Sequence, residues 1–441
     1  MKYSEKIRKK LKEKNISVLD KVKIKKENKT YRGILMPNTE MSSPKCITIK
    51  LKNGYNIGLE DLGDLKIQKL KKEEKKENKL KIKQDKSKPK ISVISTGGTI
   101  SSKIEYETGA VEPALKAEEI IAHTPEITDY AYIRNYEQIS QLTSEDISPS
   151  TWLELAKTVK KELNNGSRGV VITHGTDTMH YTAAALSFML TDLTKPVVLT
   201  GAQRSIDRGS TDAPMNLLCA SIVAAESDIG EVGIVMHGTM NDDYCYFIRG
   251  TKAKKMHTSR RDTFRPINDK PIAKIKPNGQ IKKIQNHSKF QDKKTDTEIG
   301  FEEKVAILKA YPGSEPDALS YYEDKDYKGY IIEGTGLGHV PTQAKKTWIP
   351  KIKEITDKGK PVVGTSQCTY GRVNPNVYKN LRKFYHEAGA IPAGDMTVET
   401  AYVKLGWLLA TEKNEKKIME KMKENLKGDI TERSLPETYL Y

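Results

Sequence analysis

At 441 residues, with a net charge of +17 and 37% hydrophobic residues, the chain is long enough for two or three domains with sizeable cores. No apolar run approaches the ~18 residues of a spanning helix, and the opening MKYSEKIRKKLKEKN is charged rather than signal-like, so no membrane partner is expected. The cysteines Cys46, Cys219, Cys245 and Cys368 are far apart, without metal-ligand spacing; they read as core filler in a reducing, cytoplasmic setting.

The charge is uneven. Residues 1–90 carry 28 Lys/Arg against 12 Asp/Glu, which leaves the remaining four-fifths close to neutral. Such asymmetry fits an anionic partner, most simply nucleic acid, and equally fits a generally lysine-rich surface. No zinc-finger, helix-turn-helix or RNP signature decides between them.

In chain order, residues 3–14 predict a short basic helix. Lys21–Lys25, Tyr31–Met36, Cys46–Leu51 and Asn56–Leu59 then read as short strands, with an Asn53-Gly54 turn signal before the last. Strands of this length with tight turns predict a small β-barrel, SH3-like, over residues 1–70. The lysine-rich stretch 71–90 reads as a linker. From residue 91 strands alternate with helices, the sign of a mostly parallel α/β sheet. Strands are expected at 91–95, 169–173, 196–200 and 232–236, and helices at 150–164, 179–191 and 212–227. Residues 266–300 read as an irregular surface insertion or link. A second α/β block over 301–441 follows, with strands at 305–308, 329–333 and 361–365 and helices at 342–356, 376–388 and 397–412. The last of these continues in a charged pattern to about Lys427. The tail from Gly428 carries Tyr439 and Tyr441 and reads as a docking segment.

Two strand ends carry the chemistry. Ile91-Ser92-Val93-Ile94 stops at Ser95-Thr96 and is followed by Gly97-Gly98-Thr99. Adjacent glycines permit a sharp turn and a close ligand approach, and strand carboxyl ends are where open α/β sheets bind ligands. The turn lacks the Lys-Ser/Thr ending of a P-loop, though a Gly-Gly turn is also consistent with plain chain reversal. The run Gly169–Thr173 ends in His174-Gly175-Thr176-Asp177-Thr178-Met179. A histidine, two threonines and an acid beyond one strand are specific, although Asp177 or Thr178 would also serve as a helix cap.

These motifs, TGGTI and HGTDT, resemble the asparaginase/glutaminase family over roughly residues 91–412. The resemblance implies two α/β domains, 91–300 and 301–441, and a threonine amidohydrolase without a cofactor or metal in this chain. Thr99 matches the nucleophile and Tyr106 the loop tyrosine beside it. Ser140 and Gln141 match the pair that holds the substrate α-carboxylate. Thr176 and Asp177 match the second threonine and the acid that also binds the α-amino group, and His174 and Gly175 line the substrate with them. The family's lysine falls in Arg249–Met256: counting back from Asp262-Thr263-Phe264 favours Lys255, whereas counting forward from Arg249 gives Lys254. A solvated basic run is the structural alternative. Where secreted bacterial asparaginases supply an asparagine from a neighbouring subunit, the sequence has Gly334–His339, ending in a histidine. Where they carry a glutamate-bearing loop, it has Ser366–Val373.

With the basic N-terminal barrel, Lys255–Asp262 and Ser366–Val373, the chain is most similar to the branch that forms the D subunits of archaeal glutamyl-tRNA(Gln) amidotransferases. That implies a glutaminase working with an E subunit that holds ATP and Mg, as a homodimer within a larger complex, with L-glutamine as substrate and tRNA(Gln) reached through the complex. A free-standing cytoplasmic L-asparaginase is the alternative. A nucleic-acid-binding protein with an inactive enzyme body is disfavoured by the intact Thr99, Thr176 and Asp177.

Overall fold

The computed structural model describes residues 3–27, 29–38, 43–51, 56–61, 63–70, 84–104, 111–113, 124–206 and 210–441. The first unit holds helix α1 (Glu5–Glu13) and strands β1 (Lys21–Lys26), β2 (Lys29–Leu35), β3 (Cys46–Leu51), β4 (Asn56–Glu60) and β5 (Lys66–Lys69). Ser4 caps α1, accepting a hydrogen bond from Ile7 N, and Ile7 and Leu11 are buried on one face. The strands pair antiparallel in the order β4-β3-β2-β1-β5. Alternation along β1 places Val22 and Ile24 in a separate small core with Ile47, Ile49 and Tyr3. Among the described residues β4 and β5 are edges that do not pair with each other, so the expected barrel is found as an antiparallel sheet without closure. Most of the lysine-rich stretch expected as a linker, and the Asn53-Gly54 turn, lie outside the described residues.

The main body begins at β6 (Lys90–Gly97). Short strands β7 (Ser102–Ile104) and β8 (Val111–Pro113) form a hairpin; β9 (Tyr132–Leu142), α2 (Pro149–Asn164), β10 (Gly169–Thr173), α3 (Met179–Met189), β11 (Val197–Thr200), α4 (Ala213–Glu226) and β12 (Val232–His237) follow. Then come β13 (Cys245–Arg249), β14 (Ala253–Lys255), β15 (Phe264–Pro266), β16 (Ala273–Ile275) and β17 (Ile281–Lys283). The eight-stranded sheet runs β17-β16-β13-β12-β11-β10-β6-β9, parallel from β9 to β12 and antiparallel beyond. β10 and β12 are buried along their whole length, as strands covered on both faces must be. The chain goes from β6 outward to β9 and then back across β6 to β10. That reversal is a topological switch point, and it lies at β6.

The second α/β sheet is parallel, β18 (Val305–Lys309), β19 (Gly329–Gly334), β20 (Val362–Ser366) and β21 (Ile391–Pro392). Around it lie α5 (Asp317–Asp324), α6 (Ile349–Asp357), α7 (Lys379–Arg382), α8 (Val398–Thr411) and α9 (Glu415–Lys423). One apolar core joins the two sheets: Val170, Ile172 and Leu199 of the first share it with Ile331, Val363 and Ile391 of the second.

Several expected elements differ. The helix expected at 342–356 starts at Ile349, because Pro350 fits only the first turn, where no N–H is needed. The one expected at 376–388 is a short α-turn that widens into a π-turn over Lys383–Glu387. The last helix does not run on to Lys427; it ends at Thr411, and Asn414 caps a new helix by accepting from Lys416 N and Lys417 N. The stretch 266–300 is only partly irregular, since β16 and β17 extend the main sheet. All four cysteines are free, and Cys368 is exposed rather than core. The tail docks on its own chain: Tyr439 meets Tyr370 at 5.3 Å and Tyr441 meets Tyr246 at 6.0 Å between ring centroids.

Candidate active site

Three neighbouring strand ends converge at the switch point. β6 ends in Gly97, and Thr99 opens a single 3-10 turn, half-buried, directly beyond it. Gly97 (φ 106°) and Gly98 (φ 79°) lie in the left-handed region, which an L side chain enters only with strain. A Cβ on Gly98 would overlap the Gly175 backbone, and one on Gly97 would overlap Leu142. The paired glycines are therefore there for close approach: they bring TGGTI against HGTDT on one side and against the end of β9 on the other. Gly98 N donates to Leu142 O at 2.9 Å, and Ser140 Oγ donates to Thr96 O at 2.9 Å. Ser140 is half-buried and Gln141 exposed at this rim. Tyr106 lies outside the described residues.

Beyond β10, Ser144 organises the second motif. Its Oγ accepts from Asp177 N at 3.2 Å, its carbonyl accepts from Thr178 Oγ1 at 2.6 Å, and its side chain packs on Gly175. Thr176 is buried, whereas the Asp177 carboxylate is largely open to solvent. Lys255 Nζ stands between them, 2.8 Å from Thr176 Oγ1 and 2.5 Å from Asp177 Oδ1. Lys254 points elsewhere, to Glu399, as side chains alternate along β14. The geometry therefore selects Lys255 over Lys254 as the lysine beside the second threonine.

His174 is not at the surface of the site. Its ring is fully buried, with Nδ1 2.6 Å from Gly175 O and Nε2 2.9 Å from Thr182 Oγ1. Burial pulls its pKa down to about 4, so the ring is neutral near pH 7. It braces the Gly175 turn from below.

Sequence reasoning missed the group behind Lys254. Glu399 is nearly buried; burial opposes its ionisation, but His180 and Lys254 outweigh that and bring its pKa down to about 2. It also missed Ser144, whose hydroxyl residue just past β9 was the only available signal. The rim departures have clear places: His339 bridges back to Thr335 and its ring lies 5.3 Å from Tyr378, and Ser366 Oγ donates to Gly336 O at 2.5 Å. Among the described residues no cluster of three His, Cys, Asp or Glu forms a metal site. A hydroxyl on a strand-end turn, a second hydroxyl held by a lysine, and a carboxylate open to solvent suit attack on a carbonyl and recognition of a substrate amine.

The fold and this constellation define an asparaginase-like amidohydrolase. Residues 90–289 match the family model "Asparaginase, N-terminal", and residues 304–422 match the "Glutaminase/Asparaginase C-terminal domain". The thermostable L-asparaginase from Thermococcus kodakarensis is similar in structure, with a TM-score of 0.70 and 31% identity, covering 78% of this chain and 99% of that one. L-asparaginase I from Vibrio cholerae gives a TM-score of 0.66 at 28% identity, covering 78% and 99%. Residues 16–70 match the model "GatD N-terminal domain". Over 98% of both chains the sequence is 48% identical to the D subunit of glutamyl-tRNA(Gln) amidotransferase from Pyrococcus abyssi, and 49% identical to that from Pyrococcus furiosus. The corresponding D subunit from Methanothermobacter thermautotrophicus is 45% identical over 98% of both chains. The chain belongs to the family of glutamyl-tRNA(Gln) amidotransferase D subunits.

Proposed function

We propose that this chain is the glutamine-hydrolysing subunit of a tRNA-dependent amidotransferase. The observation that carries the reading is full-length similarity to the D subunits, N-terminal unit included, around an assembled Thr176–Lys255–Asp177 group. Thr99 Oγ attacks the glutamine side-chain carbonyl, its proton passes to the departing nitrogen, and ammonia leaves a glutamyl ester that water then hydrolyses. Thr176 and Lys255 order and activate the nucleophile and the water. Asp177 holds the substrate α-amino group, Ser140 and Gln141 its α-carboxylate, and Tyr106 assists Thr99 in the chemistry. Gly175 lines the substrate, and His174 supports that lining from beneath.

The ammonia passes to an E-type partner subunit, which carries ATP and Mg and amidates glutamate on tRNA(Gln). The chain acts in the cytoplasm as a homodimer within that complex. Residues 1–70 form the small basic β-domain, 71–90 the linker, 91–300 the domain with the threonines and 301–441 the smaller domain. Free L-asparaginase is the second reading, favoured by the asparaginase neighbours that cover the body. The test is reconstitution: this chain, the E-type subunit, ATP, glutamine and Glu-tRNA(Gln) should form Gln-tRNA(Gln). Product formed equally well with Thr99→Ala would refute the role given to this site.

A further inference from the structure

Lys255 stands on a hairpin too small to fix its own position. β14 and β15 are three residues each and, among the described residues, pair only with each other. Two-stranded ribbons of this size are marginal alone, so what anchors the ends decides where Lys255 sits. The hairpin leaves a turn at Thr251-Lys252. Lys252 Nζ pairs with Asp395 Oδ2 at 2.9 Å, and neither side chain is exposed at all. Asp395 also grips the C-terminal segment. Its Oδ1 accepts from Thr431 N at 2.9 Å, and its Oδ2 accepts from Thr431 Oγ1 at 2.5 Å. Its carbonyl accepts from Asn268 Nδ2 at 3.1 Å, just past β15.

The C-terminal segment is strapped down along its length. Thr251 Oγ1 donates to Lys427 O at 3.0 Å, and Arg372 reaches Thr431 O and Glu432 O at 3.0 and 2.9 Å. A second ion pair of equal burial, Lys404 with Asp429 at 2.7 Å, holds the strap through Leu426 N and Lys427 N and feels Lys252 only at a distance, whereas Asp395 bonds Lys252 directly. Two buried pairs thus do similar structural work, and only one of them sits at the foot of the hairpin.

We propose that Asp395 is a positioning residue for Lys255: by fixing Lys252 and the C-terminal strap together, it sets where Lys255 stands between Thr176 and Asp177. This rests on the role given to Lys255 above. A residue that acts this way governs turnover more than substrate capture, because glutamine is held by other groups.

The experiment compares Asp395→Asn with Asp429→Asn in the full chain, reading kcat and KM for ammonia release from glutamine alongside the melting temperature. Both variants should lose thermal stability. Asp395→Asn should lower kcat tenfold or more with KM within twofold, while Asp429→Asn keeps kcat within twofold. Equal losses of kcat in the two, or an unchanged kcat in Asp395→Asn, would overturn the proposal. If Asp395→Asn does not fold, Thr431→Val removes the hydroxyl's contacts to Asp395, Arg372 and Arg433, leaves the Lys252–Asp395 pair in place, and should lower kcat threefold or more; unchanged kcat there overturns it too. Lys255→Ala runs in parallel. Activity retained by Lys255→Ala would refute the reading of Lys255 itself, whereas its loss with a normal Asp395→Asn would refute only the positioning.

Discussion

Lys254 and Lys255 are adjacent and chemically identical, and the structure gives them opposite consequences. Removing the Lys255 side chain takes away the 2.8 Å and 2.5 Å contacts to Thr176 and Asp177. Loss of a positioned proton-handling group costs about 10²–10⁴ in rate, or roughly 3–5 kcal/mol of barrier. Stability should hardly change, because Asp177 is largely exposed and an exposed pair contributes under about 1 kcal/mol. Lys254→Ala does the reverse. It leaves Glu399 nearly buried with His180 at 3.7 Å as its remaining partner. A fully buried pair costs about 3–5 kcal/mol when broken; with Lys254 a quarter exposed, about 2–3 kcal/mol is expected. In a chain of this size that lowers the melting point by a few degrees. The assay is ammonia release with kcat and KM separated, beside thermal denaturation of each variant. Lys255→Ala should be folded and at least a hundredfold slower, and Lys254→Ala less stable but within tenfold of normal activity. The opposite assignment of the two losses would refute the geometry.

Thr99→Ala should abolish ammonia release with an unchanged melting point; retained release would remove Thr99 as nucleophile. Gly98→Ala should destroy activity and destabilise the body, since the new methyl meets the Gly175 backbone at a positive φ; a stable, active variant would contradict the close packing of the two motifs. His174 adds a pH dependence. Below pH 6.5 the unfolded chain takes up a proton that the folded one refuses until about pH 4, so stability falls on acidification through that window, by up to about 3 kcal/mol. His174→Gln should flatten that part of the stability profile, and a constant difference between the two proteins across pH 4–7 would rule the buried neutral ring out. Deleting residues 1–85 should leave the body folded, because the N-terminal unit has its own core, while lowering transamidation; normal transamidation would show that the basic unit contacts neither RNA nor partner.

The parts legible in the sequence were those written locally. The apolar runs Ile91–Ile94 and Gly169–Thr173, each cut off by glycine and hydroxyl residues, marked two buried strands and the loops at their ends. β9 was not legible: YIRNYEQISQL is a half-exposed edge strand beside β6, and its polar residues hide the alternation. The choice between Lys254 and Lys255 depended on which face of a three-residue strand meets Thr176. That is set by pairing with β15 and by Glu399, 145 positions away. The strap was invisible for the same reason, since Asp395 gathers Lys252, Asn268 and Thr431 from three distant segments. His174 sat in a catalytic-looking motif, but nothing local announced that its ring turns inward onto Thr182.

The most direct test of the proposed function is ammonia release by the purified chain from glutamine and from asparagine, alone and then with the E-type subunit and Glu-tRNA(Gln). The proposal predicts slow release alone and a marked rise on glutamine once partner and charged tRNA are present. Fast hydrolysis of asparagine, indifferent to both additions, would contradict it and make the chain an asparaginase with an extra basic unit.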